Sequence, residues 1–256
     1  MKTRKRADQL LVGVGLVETR TKAQALIMAG LANFRLTADA PWRPIEKAGQ
    51  LLPESAEFQL PETSRDVSRG THKLRRALDT WPFIQVPGRQ FVDIGSSTGG
   101  FTQVLLERGA EKVLALDVGT HQLHERLRND ARVVSVEKQH VLRCGPETWE
   151  SAGMGPPFDG AVADLSFIST TKVIATVAGW LPPGVHWVFL LKPQFELNAS
   201  KLKKGIVKSD TFREEAITRL RDAVLADGSF TWKDCIESPI LGGDGNKEYL
   251  VCLERR

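Results

Sequence analysis

Residues 91–101 read "FVDIGSSTGGF": a short apolar run holding one acid, then a cluster of small residues closed by a second aromatic. A parallel strand buried on both faces has this continuous apolar character. The glycines after it mark a tight turn into a helix that starts near Phe101. Glycine lets the backbone approach a ligand closely, and a helix N-terminus offers unpaired N–H groups. The spacing is not G-x-G-x-x-G, because Ser96, Ser97 and Thr98 separate Gly95 from Gly99 and Gly100, which weakens a dinucleotide reading. Asp117 closes the next apolar run, "KVLALD", where a carboxylate can accept hydrogen bonds from both hydroxyls of a ribose.

Outward from this stretch the chain alternates strand and helix. "RQFVDI", "KVLALD", "RVVSV", "DGAVAD" and "VHWVFLL" are strand candidates, with helical stretches at 101–108 and 170–180 between them. A helix near 213–226 precedes two longer strands, "FTWKDCIES" and "KEYLVCL", joined by the glycine-rich "PILGGDGN". The pattern predicts an α/β fold: a doubly wound, Rossmann-like, mostly parallel sheet with an antiparallel C-terminal hairpin at its edge. Residues 1–60 form a separate, small α+β unit. Its first helix carries Leu10, Leu11 and Val14 on one face, before a stop at Gly15. Its second runs from a Thr19 cap to Gly30 with Ala23, Leu26 and Ile27 facing inward. Residues 61–67 read as a polar linker, and 68–256 as the larger domain.

The composition is that of a soluble globular protein, with 41% hydrophobic and 26% charged residues in a chain of 256. The net charge of +4 is concentrated in "MKTRKR", "THKLRR" and "SKLKKG", which favours a polyanionic partner. "SKLKKG" fits either a mobile basic flap over substrate or a solvated run. Cys144, Cys235 and Cys252 lack metal spacing and suit a reducing, cytoplasmic setting. The apolar run near the N-terminus is short, interrupted by glycine and closed by Glu18, so neither a signal peptide nor a membrane span is expected. His121 and His124, three apart, would share a helical face, but no third ligand accompanies them and no metal site is expected. Trp180, Trp187 and Trp232 read as core residues, whereas Trp42 sits in a loop.

Two buried strands end on charge. "DGAVAD" stops at Asp164, and "VHWVFLLKPQFE" stops at Lys192 followed by Pro193. Lysine is rarely buried, and the carboxyl edge of an open α/β sheet is where ligands bind. Pro193 removes a backbone donor and holds Lys192 in an extended conformation.

"DIGSSTGGF", "ALDVGTHQL", "ADLSFIS" and "LLKPQFE", in this order, resemble the TlyA family, and the resemblance extends over almost the whole chain. That family, whose members are often labelled haemolysins, comprises S-adenosylmethionine-dependent ribosomal RNA 2′-O-methyltransferases with an FtsJ-related catalytic domain. The resemblance implies a catalytic Lys73, Asp164, Lys192 and Glu248. Lys192 would be the general base, Asp164 and Glu248 would orient it, and Lys73 would position substrate and balance charge. It also implies cofactor binding by Asp93, Gly95, Ser96, Ser97, Thr98, Gly99, Gly100, Phe101, Asp117, Val118 and Asp164, with Asp93 beside the charged amino acid end. Residues 1–60 resemble the small RNA-binding domain named after ribosomal protein S-four. Arg4, Arg6, Arg20 and Lys22 there, with Arg69, Arg75 and Arg76 beyond the linker, are the expected phosphate contacts. The partner implied is ribosomal RNA or a ribosomal subunit, and the target cytidine.

Two departures stand out: Ser68-Arg69-Gly70-Thr71 replaces the usual "SRGG", and Lys204-Gly205 replaces a double glycine. Asp164-Leu165-Ser166-Phe167 lies where amine methyltransferases carry Asn/Asp-Pro-Pro-aromatic, and no cysteine is placed for attack on cytosine carbon. A hydroxyl target fits best. The competing readings are an RNA-binding protein with an inactive methyltransferase domain, and a membrane-active haemolysin, for which no lytic helix is evident.

Overall fold

The computed structural model describes residues 4–17, 19–60 and 66–256. The chain divides into two compact units, Met1–Asp66 and Val67–Arg256. Glu18 and residues 61–65 of the expected linker lie outside the described residues.

In the first unit β1 (Arg4–Arg6) runs straight into α1 (Ala7–Gly13), and α2 (Arg20–Met28) follows. Thr19 caps α2 by accepting the Lys22 amide at 3.2 Å, and Gly30 takes the left-handed conformation just past its end. Four short strands complete the unit: β2 (Asn33–Arg35), β3 (Arg43–Pro44), β4 (Leu51–Pro53) and β5 (Glu57–Gln59). β1 pairs with β4, and β2 lies between β3 and β5. Leu10, Leu11, Ala23, Ile27, Phe34 and Ile45 make the core. Val14, expected on the buried stripe, is 51% exposed. α1 ends at Gly13, so the next residue leaves the helical period that would have turned it inward.

The second unit opens with α3 (Gly70–Thr80), β6 (Gln90–Ile94), α4 (Gly100–Glu107), β7 (Lys112–Leu116), α5 (Glu125–Arg128) and β8 (Val133–Val136). α6 (Pro146–Ala152), β9 (Gly160–Ala163), α7 (Ile174–Ala178), β10 (His186–Leu191) and α8 (Pro193–Glu196) come next. α9 (Asp210–Asp227), β11 (Phe230–Glu237) and β12 (Tyr249–Arg255) close the chain. The sheet order is β11-β12-β10-β9-β6-β7-β8. β6 to β10 are parallel where they pair, and β12 is antiparallel to both β10 and β11. The last strand is thus inserted inside the sheet, and β11 at the edge runs in the parallel sense.

Alternate residues of each strand feed opposite cores. Val92, Ile94, Trp187, Phe189 and Leu191 pack on one face, while Phe91, Val188 and Leu190 pack on the other. That is why these strands read as unbroken apolar runs.

Two sequence expectations change, and a third stretch gains a local structure. Residues 170–180 form a 3₁₀ turn, Thr170–Lys172, and then the short α7, because the Ser169 hydroxyl and the Glu196 carboxylate take up the first N–H groups. His121 lies outside a helix at φ 53°, and His124 caps α5 by accepting the Arg126 amide, so the two share no helical face. No group of His, Cys, Asp and Glu among the described residues could hold a metal ion. Finally, "SKLKKG" leads into a tight turn that is tied to the C-terminal loop. Lys203 bridges Ile206, and buried Asn246 donates to the Gly205 carbonyl at 3.0 Å while accepting the Val207 amide at 2.9 Å.

Candidate active site

The carboxyl ends of β6, β9 and β10 lie side by side, Ile94 level with Ala163 and Ala163 with Phe189. The residues just beyond these ends therefore share one edge. Asp164 follows β9, Lys192 follows β10, and Lys192 is extended at φ −111°, ψ 102° ahead of Pro193. α3 brings Lys73 to the same place, and Glu248 enters from the residue before β12.

The four side chains form a continuous line of alternating charge. Glu248 Oε2 lies 2.7 Å from Lys73 Nζ, Lys73 Nζ lies 3.4 Å from Asp164 Oδ2, and Asp164 Oδ1 lies 2.6 Å from Lys192 Nζ. Lys73 and Glu248 are buried, at 8% and 3% exposure. Two cations and two anions cancel, which makes such burial tolerable. Glu248 is approached so closely that a Cβ on Gly242 would sit 2.4 Å from its Oε1. Lys192 also donates to Ser166 Oγ at 2.8 Å.

Two adjoining clefts open at this edge. The first, about 270 Å³, is polar and is lined by Lys73, Lys192, Asp93, Ser68, Arg69 and Leu241 among others. The second, about 450 Å³, is more apolar, with Val118, Leu165, Phe167 and Ile168 on its walls and Asp117 at its side. Gly95, Ser97, Asp164 and Ser166 border both. Phe167 is 91% exposed and holds a left-handed φ of 65°, a strained conformation for an aromatic residue.

Asp93 is fully buried. Its Oδ2 accepts the Thr102 amide at 2.9 Å and the Thr102 hydroxyl at 2.6 Å, while Oδ1 has no partner. Burial pushes its carboxyl up to about 7, aided by the nearby charges of Asp164 and Asp117 and opposed by the Thr102 hydrogen bonds. Asp117 accepts the Ser97 and Gly119 amides, each at 2.7 Å.

Of the glycine loop, Gly95, Ser96, Ser97, Thr98, Gly100 and Phe101 line the polar cleft; Gly99 does not. Its Cβ position points instead at Leu127 Cδ1, 2.3 Å away. Gly95, at φ 77°, has the Asp164 carbonyl oxygen 2.9 Å from its Cβ position. Gly95 and Gly99 thus also let the loop pack closely against its own neighbours.

The expected phosphate contacts fall in both units. Arg69 lines the polar cleft, Arg75 pairs with Glu107 at 2.8 Å, and Arg76 is exposed on α3. Arg4, Arg6, Arg20 and Lys22 belong to the first unit, where Arg6 and Arg20 both contact buried Asp8, at 3.0 and 3.2 Å. Sequence reasoning missed Ser166, Phe167 and Leu241, none of which carries a charge or an unusual spacing. No cysteine lines either cleft among the described residues, and burial pushes Cys235 and Cys252 up to about 12, far from a thiolate nucleophile. No helix of the described residues is long and apolar enough to cross a membrane.

Known proteins fall in with this geometry. Residues 67–255 match the FtsJ-like methyltransferase family. The chain is 39% identical to YqxC of Bacillus subtilis, assigned as a candidate rRNA methyltransferase, over 98% of this chain and 85% of that protein. It is 37% identical to the 16S/23S rRNA (cytidine-2′-O)-methyltransferase TlyA of Mycobacterium tuberculosis, over 99% of this chain and 91% of that one. A solved Streptococcus thermophilus structure, described as a candidate hemolysin, superposes with a TM-score of 0.70 at 36% identity, covering 100% of this chain and 90% of its own. With this likeness running through both units and the family match spanning the second, the chain belongs to the FtsJ-like methyltransferases.

Proposed function

We propose that this protein methylates a ribose 2′-hydroxyl of RNA, with cytidine of ribosomal RNA as the target. The observation that carries the reading is the unbroken Glu248–Lys73–Asp164–Lys192 line facing a polar cleft. The names of its relatives supply the cytidine and the ribosomal RNA.

The cofactor is S-adenosylmethionine, which when bound supplies an activated methyl on a sulfonium and so leaves the protein only a hydroxyl proton to remove. The residues present fit it. Asp93 presents a fully buried oxygen without a partner to the polar cleft, matching the cofactor's ammonium group. Asp117 keeps lone pairs for ribose hydroxyls beyond the two it gives to backbone amides. Val118, Leu165 and Ile168 offer apolar wall to a base.

Lys192 Nζ takes the 2′-hydroxyl proton as the oxygen forms its bond to carbon. Asp164 touches both lysines and fixes the distance between them. Lys73, held between Asp164 and Glu248, keeps the site's charge balanced while Lys192 changes its own. Positioning the hydroxyl supplies much of the remaining rate. Residues 1–60 act as an RNA-binding domain like that of ribosomal protein S-four. Arg4, Arg6, Arg20 and Lys22 there, with Arg69, Arg75 and Arg76, contact phosphates.

Transfer of labelled methyl from S-adenosylmethionine to unmodified ribosomal subunits tests the reading. Wild type is expected to label cytidine at the 2′-oxygen, and Lys192→Ala to be slower by roughly a hundred- to ten-thousandfold, the usual range for a general base. Absence of transfer by wild type to either subunit would refute it.

A further inference from the structure

The contact between Lys192 and Asp164 is short, but it is not aligned as a hydrogen bond: Asp164 Oδ1 is buried and has no partner in hydrogen-bonding geometry, although Lys192 Nζ lies 2.6 Å away. The aligned hydrogen bond from Lys192 goes elsewhere, to Ser166 Oγ at 2.8 Å. An ion pair of this kind fixes distance but leaves the nitrogen free to rotate about its terminal bond. A directional bond removes that freedom. Ser166 stands where both clefts meet, and it lies in the short loop between Asp164 and the strained Phe167.

We infer that Ser166 is a positioning residue for the methyl transfer, orienting Lys192 Nζ so that its one uncommitted vertex faces the substrate hydroxyl. The inference rests on the function proposed above. An amine nitrogen has four tetrahedral positions: one is its bond to Cε, one is spent on Ser166, and one lies on the side of Asp164 without pointing along that contact. The fourth opens into the polar cleft that Lys192, Asp164 and Ser166 all line. Lys192 enters the step as the neutral amine, its earlier proton released to solvent. As the 2′-oxygen bonds to the methyl carbon, the carbon–sulfur bond breaks with its electron pair left on sulfur. The O–H bond breaks, and the proton joins the lone pair at that fourth position. Lys192 then holds three N–H bonds, one of them still donated to Ser166. The hydroxyl of Ser166 neither gains nor loses a proton; it only accepts.

The loop that carries Ser166 is itself secured. Buried Glu196 on α8 accepts from Ser169 Oγ at 2.5 Å and from the Thr170 amide at 2.8 Å. Lys192, Pro193 and Glu196 are consecutive parts of one segment, so the loop bearing the acceptor and the strand end bearing the amine are tied together twice.

The test compares the full-length wild type with Ser166→Ala, Ser166→Thr and Lys192→Ala in single-turnover methyl transfer to ribosomal subunits, with cofactor affinity measured separately by calorimetry. Ser166→Ala is expected to lower the transfer rate by roughly ten- to a hundredfold, as for a reactive group displaced by about an ångström, with cofactor and subunit affinities close to wild type. Ser166→Thr, which keeps the hydroxyl, is expected to recover most of the rate. Equal rates for wild type and Ser166→Ala would overturn the inference. So would a Thr variant as slow as Ala, or a loss in Ser166→Ala confined to cofactor affinity. Each of those outcomes presupposes an active wild type and a slow Lys192→Ala, so failure of the proposed function would be seen first and separately.

Discussion

Asp93 is pulled in two directions at the residue scale: its surroundings favour the neutral acid, with the carboxyl raised to about 7, yet a cationic ligand requires the carboxylate. With Asp93 holding the cofactor's ammonium as proposed, binding expels a proton from it at any pH below about 7. The sign follows: affinity is full above that point and falls as the pH drops, with a limiting loss of about tenfold per pH unit for one linked proton. Titration calorimetry between pH 5 and 7, run in two buffers of different ionisation heat, reads the slope and the proton release together. Asp93→Asn should flatten the slope, and an unchanged slope in that variant would assign it to other groups. The single acid inside "FVDI" was legible as out of place, because an acid has little reason to occur in a buried strand; its unpartnered oxygen was not. Lys192 was legible for the same reason. Ser166 was not, since a serine in a loop is ordinary until its oxygen is found against a lysine.

Elements show where sequence pattern gives way to tertiary contact. Residues 170–180 are apolar enough for a helix, but β-branched Thr170, Thr171, Val173 and Ile174 form one poorly. Glu196, which sequence spacing could not place there, captures the first amide and begins a tighter turn. Glu196→Ala should leave the Thr170 amide without its buried partner, costing about 1–3 kcal/mol. A lowered urea midpoint and slower methyl transfer are both expected, whereas a loss of stability with an unaltered transfer rate would separate Glu196 from the site. The turn after β6 makes a second demand. Gly95 adopts φ 77° with the Asp164 carbonyl oxygen 2.9 Å from its Cβ position, so Gly95→Ala meets strain and collision together. The loss is expected at about 1–3 kcal/mol, read as weaker cofactor binding in the same calorimetry. The glycines were legible as a loop; the close approach of the Asp164 carbonyl to Gly95 was not, because that carbonyl lies on a different strand end.

On the proposed reading the whole molecule divides its work between a unit that carries chemistry and one whose exposed cations suit a polyanion. Strand content of the second unit could be read from its apolar runs, but the place of β12 between β10 and β11 could not, since sheet order depends on pairings remote in sequence. It matters, because that placement brings Glu248 to Lys73. The first unit has a comparable hidden organiser. Asp8 is wholly buried, and it accepts from Arg6 at two positions, from Arg20 and from Gln24. The Arg6 guanidinium above all holds the Asp8 carboxyl well below the usual carboxylate range, so the clamp persists at any working pH. Its two arginines remain roughly half exposed, at 43% and 52%, with donors left for phosphate. Substituting both by alanine should weaken binding to ribosomal RNA. It should also reduce the slope of log affinity against log salt by about one to two, because each phosphate that is no longer neutralised keeps its counterion. Cofactor affinity, which belongs to the second unit, should not move. Filter binding across a range of potassium chloride concentrations measures the slope. A double variant with an unaltered slope would confine Arg6 and Arg20 to the Asp8 clamp and leave phosphate binding to the other cations. Asp8→Ala should then separate the two roles: it removes the clamp while keeping both positive charges, so a slope near wild type with weaker binding at every salt concentration marks orientation, not charge, as what Asp8 contributes.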